Sequence, residues 1–298
     1  MIKCRPLINK KAFSLVEISV VILIISLLIS GISRGIDLYN DYRITNAKSL
    51  TLNSRVGRIN NLALWLETLS DKSFDKNDSV NGKKISNWYN INPMSINRDV
   101  ATVSSESFKP TYIENGINGL PTLKFDGGDY LKVSSLKLKG NLFTFYLVAK
   151  RLQNVNDTSV YILTKSTNAN DWQYSDGLIP FYEYAPHGNI WAVGTSIDGA
   201  KTGAKPSLGQ PYIISVIMAN LITKIFLNDK EFDPKVIGSF NFDLDRILIG
   251  VRWTGDSSNH CCHFNGEVGE IIIYDRDLNS VEHKEVLAYL AQKWSVKK

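Results

Sequence analysis

The 298-residue sequence predicts a mainly β protein: a long N-terminal transmembrane α-helix, an antiparallel β-sandwich and one C-terminal helix. Three observations predict it. From Phe13 to Ser33 the only charged residue is Glu17. From about Asn61, short apolar runs alternate with Gly, Asn and Asp turns, the texture of a two-sheet sandwich. Near the C-terminus, apolar residues return once at helical spacing.

The N-terminal run is rich in Ile, Val and Leu and contains no proline, and as a helix it spans about 32 Å, close to the hydrocarbon thickness of a bilayer. A cleavable secretory signal has a shorter apolar core, of roughly 7–15 residues. Lys3, Arg5, Lys10 and Lys11 precede the run and direct the N-terminus to the cytoplasm, so the remainder is translocated. These four residues also explain the net charge of +5: without them the 34 basic residues fall to 30, against 29 acidic ones. The balance excludes a phosphate-binding surface and hence a nucleic-acid partner. Three cysteines, Cys4 and the adjacent Cys261 and Cys262, provide no disulfide framework.

Glu17 is costly in such a run, by roughly 2.5–3.5 kcal/mol for an acid at the centre of a spanning helix. A cut between Ala12 and Phe13 would place a new α-amino group one turn before it. The carboxylate could then pair with its own terminus or with that of a neighbouring copy displaced along the axis, offsetting the desolvation of both charges. The basic leader ending in Lys10-Lys11-Ala12, then Phe13-Ser14-Leu15-Val16-Glu17 and the apolar helix, resembles the type IV prepilin N-terminus shared by pilins and type II secretion pseudopilins. Ala12 stands where that family usually has Gly. The resemblance implies a prepilin peptidase that cuts before Phe13 and methylates its amine, an assembly role for Glu17, and other pilin or pseudopilin subunits as partners through the helix.

Beyond Arg34 a looser helical pattern through Ile36, Tyr39, Tyr42, Ile44, Ala47 and Leu50 extends the helix to about Thr51, and Asn53 to Gly57 reads as a linker. The expected organisation is a leader at 1–12, a transmembrane and stalk helix with linker at 13–57, and the sandwich at 58–298. Strands are expected at Leu62–Leu66, on either side of a hairpin turn at Asp126-Gly127-Gly128-Asp129, and at Leu142–Ala149, Ser159–Leu163, Tyr212–Met218, Lys224–Leu227, Arg246–Trp253 and Glu267–Tyr274. Asn279 with Glu282 three residues on makes a capping-box start, and Val286, Leu287, Leu290, Ala291 and Trp294 form one apolar helical face that closes the sandwich.

Leu64-Trp65-Leu66, the Trp88 region, KPTYIENGINGLPTLKFDGGDYL (109–131) and FNGEVGEIIIYDRDLNSVEHKEVLAYLAQKW (264–294) resemble bacterial concanavalin A-like, laminin-G-like jelly rolls. The likeness covers most of residues 62–298. It implies a two-sheet jelly roll and no particular ligand.

Catalysis is not expected. A sandwich glycosidase needs two carboxylates on one face, whereas Glu267 and Glu270, three apart, fall on opposite faces of an ideal strand, and Glu183 has no partner in sequence. In Asn259-His260-Cys261-Cys262-His263, four consecutive donors alternate between faces, so no metal site is assigned. Asp126 and Asp129 are the candidate calcium ligands, weighed against a plain turn. Trp172, Tyr174, Tyr182, Tyr184 and Trp191 are candidates for stacking on a glycan, or for docking a protein, weighed against a role in the core.

The sequence therefore predicts a minor pilin or pseudopilin in the bacterial inner membrane, with its head periplasmic, or at the cell surface if assembled. The alternatives are an anchored lectin-like protein that never assembles and a secreted carbohydrate-active enzyme.

Overall fold

The computed structural model describes residues 13–96, 99–136, 138–140, 142–153, 159–164, 181–184, 189–192, 200–201, 206–219, 222–236, 242–244, 247–253, 260–261 and 263–297. The long helix, the antiparallel sandwich and the C-terminal helix are all present. The chain divides into two compact units, Met1–Thr45 and Asn46–Lys298.

The first unit consists of most of helix α1 (Leu15–Asn53). Its apolar side chains from Leu15 to Ile32 are exposed, and the helix is long and apolar enough to cross a membrane. Two of its serines turn back onto the helix: Ser19 Oγ donates to the Val16 carbonyl and Ser26 Oγ to that of Ile22, both at 2.8 Å. Their hydroxyls are thereby satisfied in an apolar setting.

The second unit begins with the last turns of α1, where Ala47 and Thr51 are buried. Its strands, in chain order, are β1 (Leu62–Glu67), β2 (Asn87–Tyr89), β3 (Val100–Thr102), β4 (Thr111–Ile113), β5 (Thr122–Asp126), β6 (Leu131–Val133), β7 (Leu138–Gly140), β8 (Leu142–Arg151), β9 (Ser159–Thr164), β10 (Phe181–Tyr184), β11 (Asn189–Ala192), β12 (Ala200–Lys201), β13 (Pro211–Ala219), β14 (Ile222–Leu227), β15 (Lys230–Val236), β16 (Phe242–Leu244), β17 (Ile247–Ile249), β18 (Arg252–Trp253), β19 (His260–Cys261) and β20 (Asn265–Tyr274). Helix α2 (Ser280–Trp294) follows. Among the described residues, one sheet runs β15-β14-β13-β8-β20-β5-β4, with β1 also paired to β20. The other runs β12-β11-β10-β9-β17-β6-β3-β2, and β16-β7 and β18-β19 form two small ribbons.

Alternation decides which residues meet between the sheets. Phe143, Phe145, Leu147 and Ala149 of β8 join Leu64, Phe125, Val216 and Ile271 in the core, facing Trp88, Val133 and Ile249 of the other sheet. The opposite face of the first sheet is buried as well, under α2. Tyr146 Oη is 2.8 Å from His283 Nδ1, and Val286, Leu290 and Trp294 are closed to solvent. That double burial explains the unbroken Ile271-Ile272-Ile273 run. The helix starts as its sequence predicts: Asn279 Oδ1 accepts from Val281 N and Glu282 N, and Glu282 Oε2 accepts from Asn279 N at 3.1 Å. Arg276 grips the same Glu282 with both terminal nitrogens, at 2.6 and 2.9 Å.

Four expectations are corrected. Asp126 to Asp129 is not a hairpin turn: β5 belongs to the first sheet and β6 to the second, so the turn carries the chain across the core. Leu123 and Phe125 before it and Leu131 and Val133 after it all point into that core from opposite sides. The strand expected over Arg246–Trp253 is broken at Gly250, whose φ of +90° and 2.6 Å approach of a notional Cβ to Phe125 admit only glycine. Asn53 to Gly57 is anchored at one residue rather than being a free linker: Asn53 and Arg55 are exposed, but Val56 is buried and its carbonyl accepts Tyr274 Oη at 3.0 Å.

The fourth correction concerns Glu267 and Glu270, which share one face. The register slips between Val268 and Glu270, so Gly269 is an extra residue in β20 and the alternation shifts by one. A Cβ at Gly269 would lie 2.5 Å from the Trp294 ring, so this bulge is also the seat of the helix. Gly269→Ala should therefore lower stability by about 1–3 kcal/mol through overpacking, seen as a lower urea midpoint, while Gly128→Ala at the open turn should change it by less than about 0.5 kcal/mol.

Candidate functional site

At the start of α1, Ser14 N donates to Glu17 Oε2 at 2.8 Å and Glu17 N to Ser14 Oγ at 3.1 Å. This is a capping box, satisfying two of the amides that a helix leaves unpaired at its first turn. The Ser-x-x-Glu spacing before an apolar run is its sequence signal, and it gives Glu17 a local role besides the expected pairing with an amine. Phe13 immediately precedes the box and is exposed; Ala12 lies outside the described residues.

Of the expected ligand-stacking residues, Trp172 and Tyr174 lie outside the described residues. The backbone brings the other three together on neighbouring strands. Tyr182 of β10 is registered with Trp191 of β11, and Tyr184 with Asn189. An irregularity in β9 also sets Tyr161 opposite Tyr182, and Trp191 is registered with Lys201 of β12. The row through Leu163, Phe181, Ala192 and Ala200 continues from the core residue Ile249. The adjacent register row is Tyr161–Tyr182–Trp191–Lys201. Sequence reasoning omits Tyr161 and Lys201 because pairing and bulges between distant strands are not visible in local spacing.

The acidic turn uses its own carboxylates. Asp126 Oδ1 accepts from Gly128 N and Asp129 Oδ2 from Asp126 N, both at 3.0 Å, with Lys84 Nζ 3.5 Å from Asp129 Oδ1. Burial, only partly countered by the Asp126 amide and Lys84 and reinforced by the Asp126 charge, pushes the Asp129 carboxyl up to about 6. In the histidine–cysteine segment, His260 and Cys261 pair with Trp253 and Arg252, while Asn259 and Cys262 lie outside the described residues. Among the described residues, no group of three or more His, Cys, Asp or Glu side chains is placed to hold a metal ion.

Two further features are not apparent in the sequence. A cleft of about 440 Å³, lined by Lys48, Arg58, Trp65, Ile91 and Pro93, opens beside the helix tail and β1. Below it is a sealed charged cluster. Lys293 Nζ lies 2.9 Å from Glu67 Oε2, 2.9 Å from Glu270 Oε2 and 3.1 Å from Tyr289 Oη. Glu270 also accepts from Trp65 Nε1, Tyr289 Oη and Trp294 Nε1, each at 2.7 Å. Glu67 accepts from Leu69 N and Ser73 Oγ at 3.0 Å and from Ser70 N. Burial alone would raise Glu67, but the Lys293 charge and these donors hold it below the usual carboxylate range. Burial alone would lower Lys293, but the two carboxylates hold it above the usual lysine value. Glu67 and Glu270 are directly paired across β1 and β20, which puts both acids on the face that α2 covers.

No family model and no curated protein matches the sequence. In structure the chain is similar to the sialidase of Trypanosoma rangeli in complex with 2,3-difluoro-KDN, with a TM-score of 0.53 and 12% identity over 80% of this chain and 34% of that one. The same sialidase as a covalent intermediate with 2,3-difluorosialic acid gives 0.52 and 14%, with the same coverage. Domain 4 of AbnA, a GH43 extracellular arabinanase from Geobacillus stearothermophilus, in complex with arabinotriose, gives 0.48 and 16% over 77% of this chain and 98% of that domain. The chain spans about a third of the sialidase, and at this identity the likeness shows the fold alone.

The buried turn acid yields a pH signature. Between about pH 4 and 6, Asp129 is protonated in the folded protein and ionised in the unfolded chain, so it destabilises the fold as pH rises through that window. The melting temperature of Asp129→Asn relative to wild type should climb from pH 4 to pH 7; a flat difference would refute the assignment.

Proposed function

We propose that the chain is a pilin-like subunit, cut between Ala12 and Phe13, that is anchored and assembled through α1 and presents the sandwich as a binding head. The observation that carries this reading is the Ser14–Glu17 capping box directly behind Phe13, at the head of an exposed apolar helix. In the uncut chain the Glu17 carboxylate is occupied by the Ser14 amide. Once a free amine forms at Phe13, the same carboxylate lies within one turn of a positive charge, and an amine from a neighbouring helix competes for it. The partners on this reading are a prepilin peptidase and other subunits of a type IV pilus or type II secretion filament in the inner membrane.

A binding role for the head is supported by the Tyr161–Tyr182–Trp191–Lys201 register row, since three neighbouring aromatic residues beside a lysine are residue types that suit a glycan or a protein surface. The adjacent acids Glu67 and Glu270 are closed to solvent by α2, which favours binding over hydrolysis at that pair. A glycan array probed with residues 46–298, which retain the helix tail, tests the head separately from the helix.

Mass spectrometry of the protein recovered from membranes should show Phe13 as an N-methylated terminus. Glu17→Ala should leave membrane insertion intact and reduce incorporation into filaments at least tenfold. An intact leader ahead of Phe13 in the mature protein would sink the reading.

A further inference from the structure

Lys293, Glu67 and Glu270 are all fully buried, and the Lys293 amine is in contact with both carboxylates. We propose that Lys293 and Glu67 condense into an intramolecular isopeptide bond, with Glu270 carrying the protons. The bond would join the first strand of the sandwich to its last helix across 226 positions of sequence. It is a property of the head and does not depend on filament assembly.

The parts of an acyl transfer are in place. The nucleophile is Lys293 Nζ and the electrophile is Glu67 Cδ. Glu270 Oε2 touches the nucleophile at 2.9 Å and is fixed by the Trp294 indole; its other oxygen is fixed by Trp65 and Tyr289. Glu67 Oε1, where negative charge develops on addition, already accepts from Ser70 N and from Ser73 Oγ at 3.0 Å. Leu69 N holds Oε2 at 3.0 Å, the oxygen nearest the amine and the one that departs.

The step balances without any other reactant. Lys293 starts as an ammonium and Glu67 as a carboxylate. One ammonium proton passes through Glu270 to Glu67 Oε2, leaving a neutral amine beside a carboxylic acid. The amine lone pair forms the Nζ–Cδ bond while the carbonyl electron pair moves onto Oε1. A second nitrogen proton passes to Glu270 and on to Oε2; the Cδ–Oε2 bond breaks, water leaves, and Oε1 returns to a carbonyl. The products are a secondary amide and an ionised Glu270, whose Oε2 then accepts the new amide N–H. Enforced contact supplies a very high effective concentration, and exclusion of solvent opposes the reverse hydrolysis. The reaction also removes two charges from a dry interior, leaving Glu270 with its three neutral donors.

The test is the intact mass of the full chain purified from membranes. It should be lighter by one water than its mature sequence with any terminal methyl group counted, and a tryptic digest should contain one branched peptide holding both Glu67 and Lys293. A full mass, or water loss mapped to any other pair including Glu270 and Lys293, overturns the proposal. Glu270→Gln preserves the shape of the acceptor but not its basicity, and the folded variant should retain the full mass. A folded Glu270→Gln protein that still loses water overturns the proton-carrier role. The wild-type measurement decides the bond itself whether or not that variant folds.

Discussion

Lys293 holds an ammonium between Glu67 and Glu270, 2.9 Å from each, where no solvent shares the charge. Three desolvated ions are a heavy cost, and the arrangement stands only because nearly every oxygen and proton is engaged. Two tryptophan indoles, a tyrosine hydroxyl, two backbone amides and a serine complete it. Each donor fixes another element: Trp65 lies on β1, Trp294 and Tyr289 on α2, and Leu69 and Ser70 in the loop after β1. Thr51 Oγ1, 3.2 Å from Tyr289 Oη, joins the end of α1 to the same set. Removing any one charge would strand the others, so the first strand, the last strand, the closing helix and the helix tail hold their positions together.

The likeness to sialidase structures and the chemistry of this cluster bear on different questions. A shared sandwich at 12% identity describes how two sheets stack, not what they bind. The paired acids of this head are turned inward beneath α2, stabilising the fold, while the aromatic row lies at the far end of the other sheet. Framework and candidate binding surface are thus built from different strands.

Much of this architecture was legible where the signal is local. The span of α1, the alternation in β8, the run of isoleucines in β20 and the Asn279–Glu282 start of α2 are all written within a few residues. What failed was non-local. Asp-Gly-Gly-Asp has the composition of a hairpin turn, and only the rest of the sandwich sends its two strands into different sheets. Strand parity assigns Glu267 and Glu270 to opposite faces because it assumes a regular strand, and Gly269 breaks that regularity where Trp294 needs room. The Lys293 cluster draws on residues as far apart as Thr51 and Trp294, which no window of sequence connects. The Ser14–Glu17 box is local too: a serine three residues ahead of an acid, before an apolar run, is the spacing of a helix start.

The pairing of β1 with β20 has a consequence for how the head comes into being. Leu64 to Glu67 find their strand partners at Glu270 to Ile273, near the opposite end of the polypeptide. In a chain made from its N-terminus, Trp65 of β1 emerges 205 positions ahead of Glu270 of β20. Throughout that interval β1 has an unmet edge and an unneutralised Glu67, and the loop that must close is almost the whole domain. Closure of the sandwich thus waits on β20, and a polypeptide released short of that strand would keep its opening strand unpaired and open to degradation.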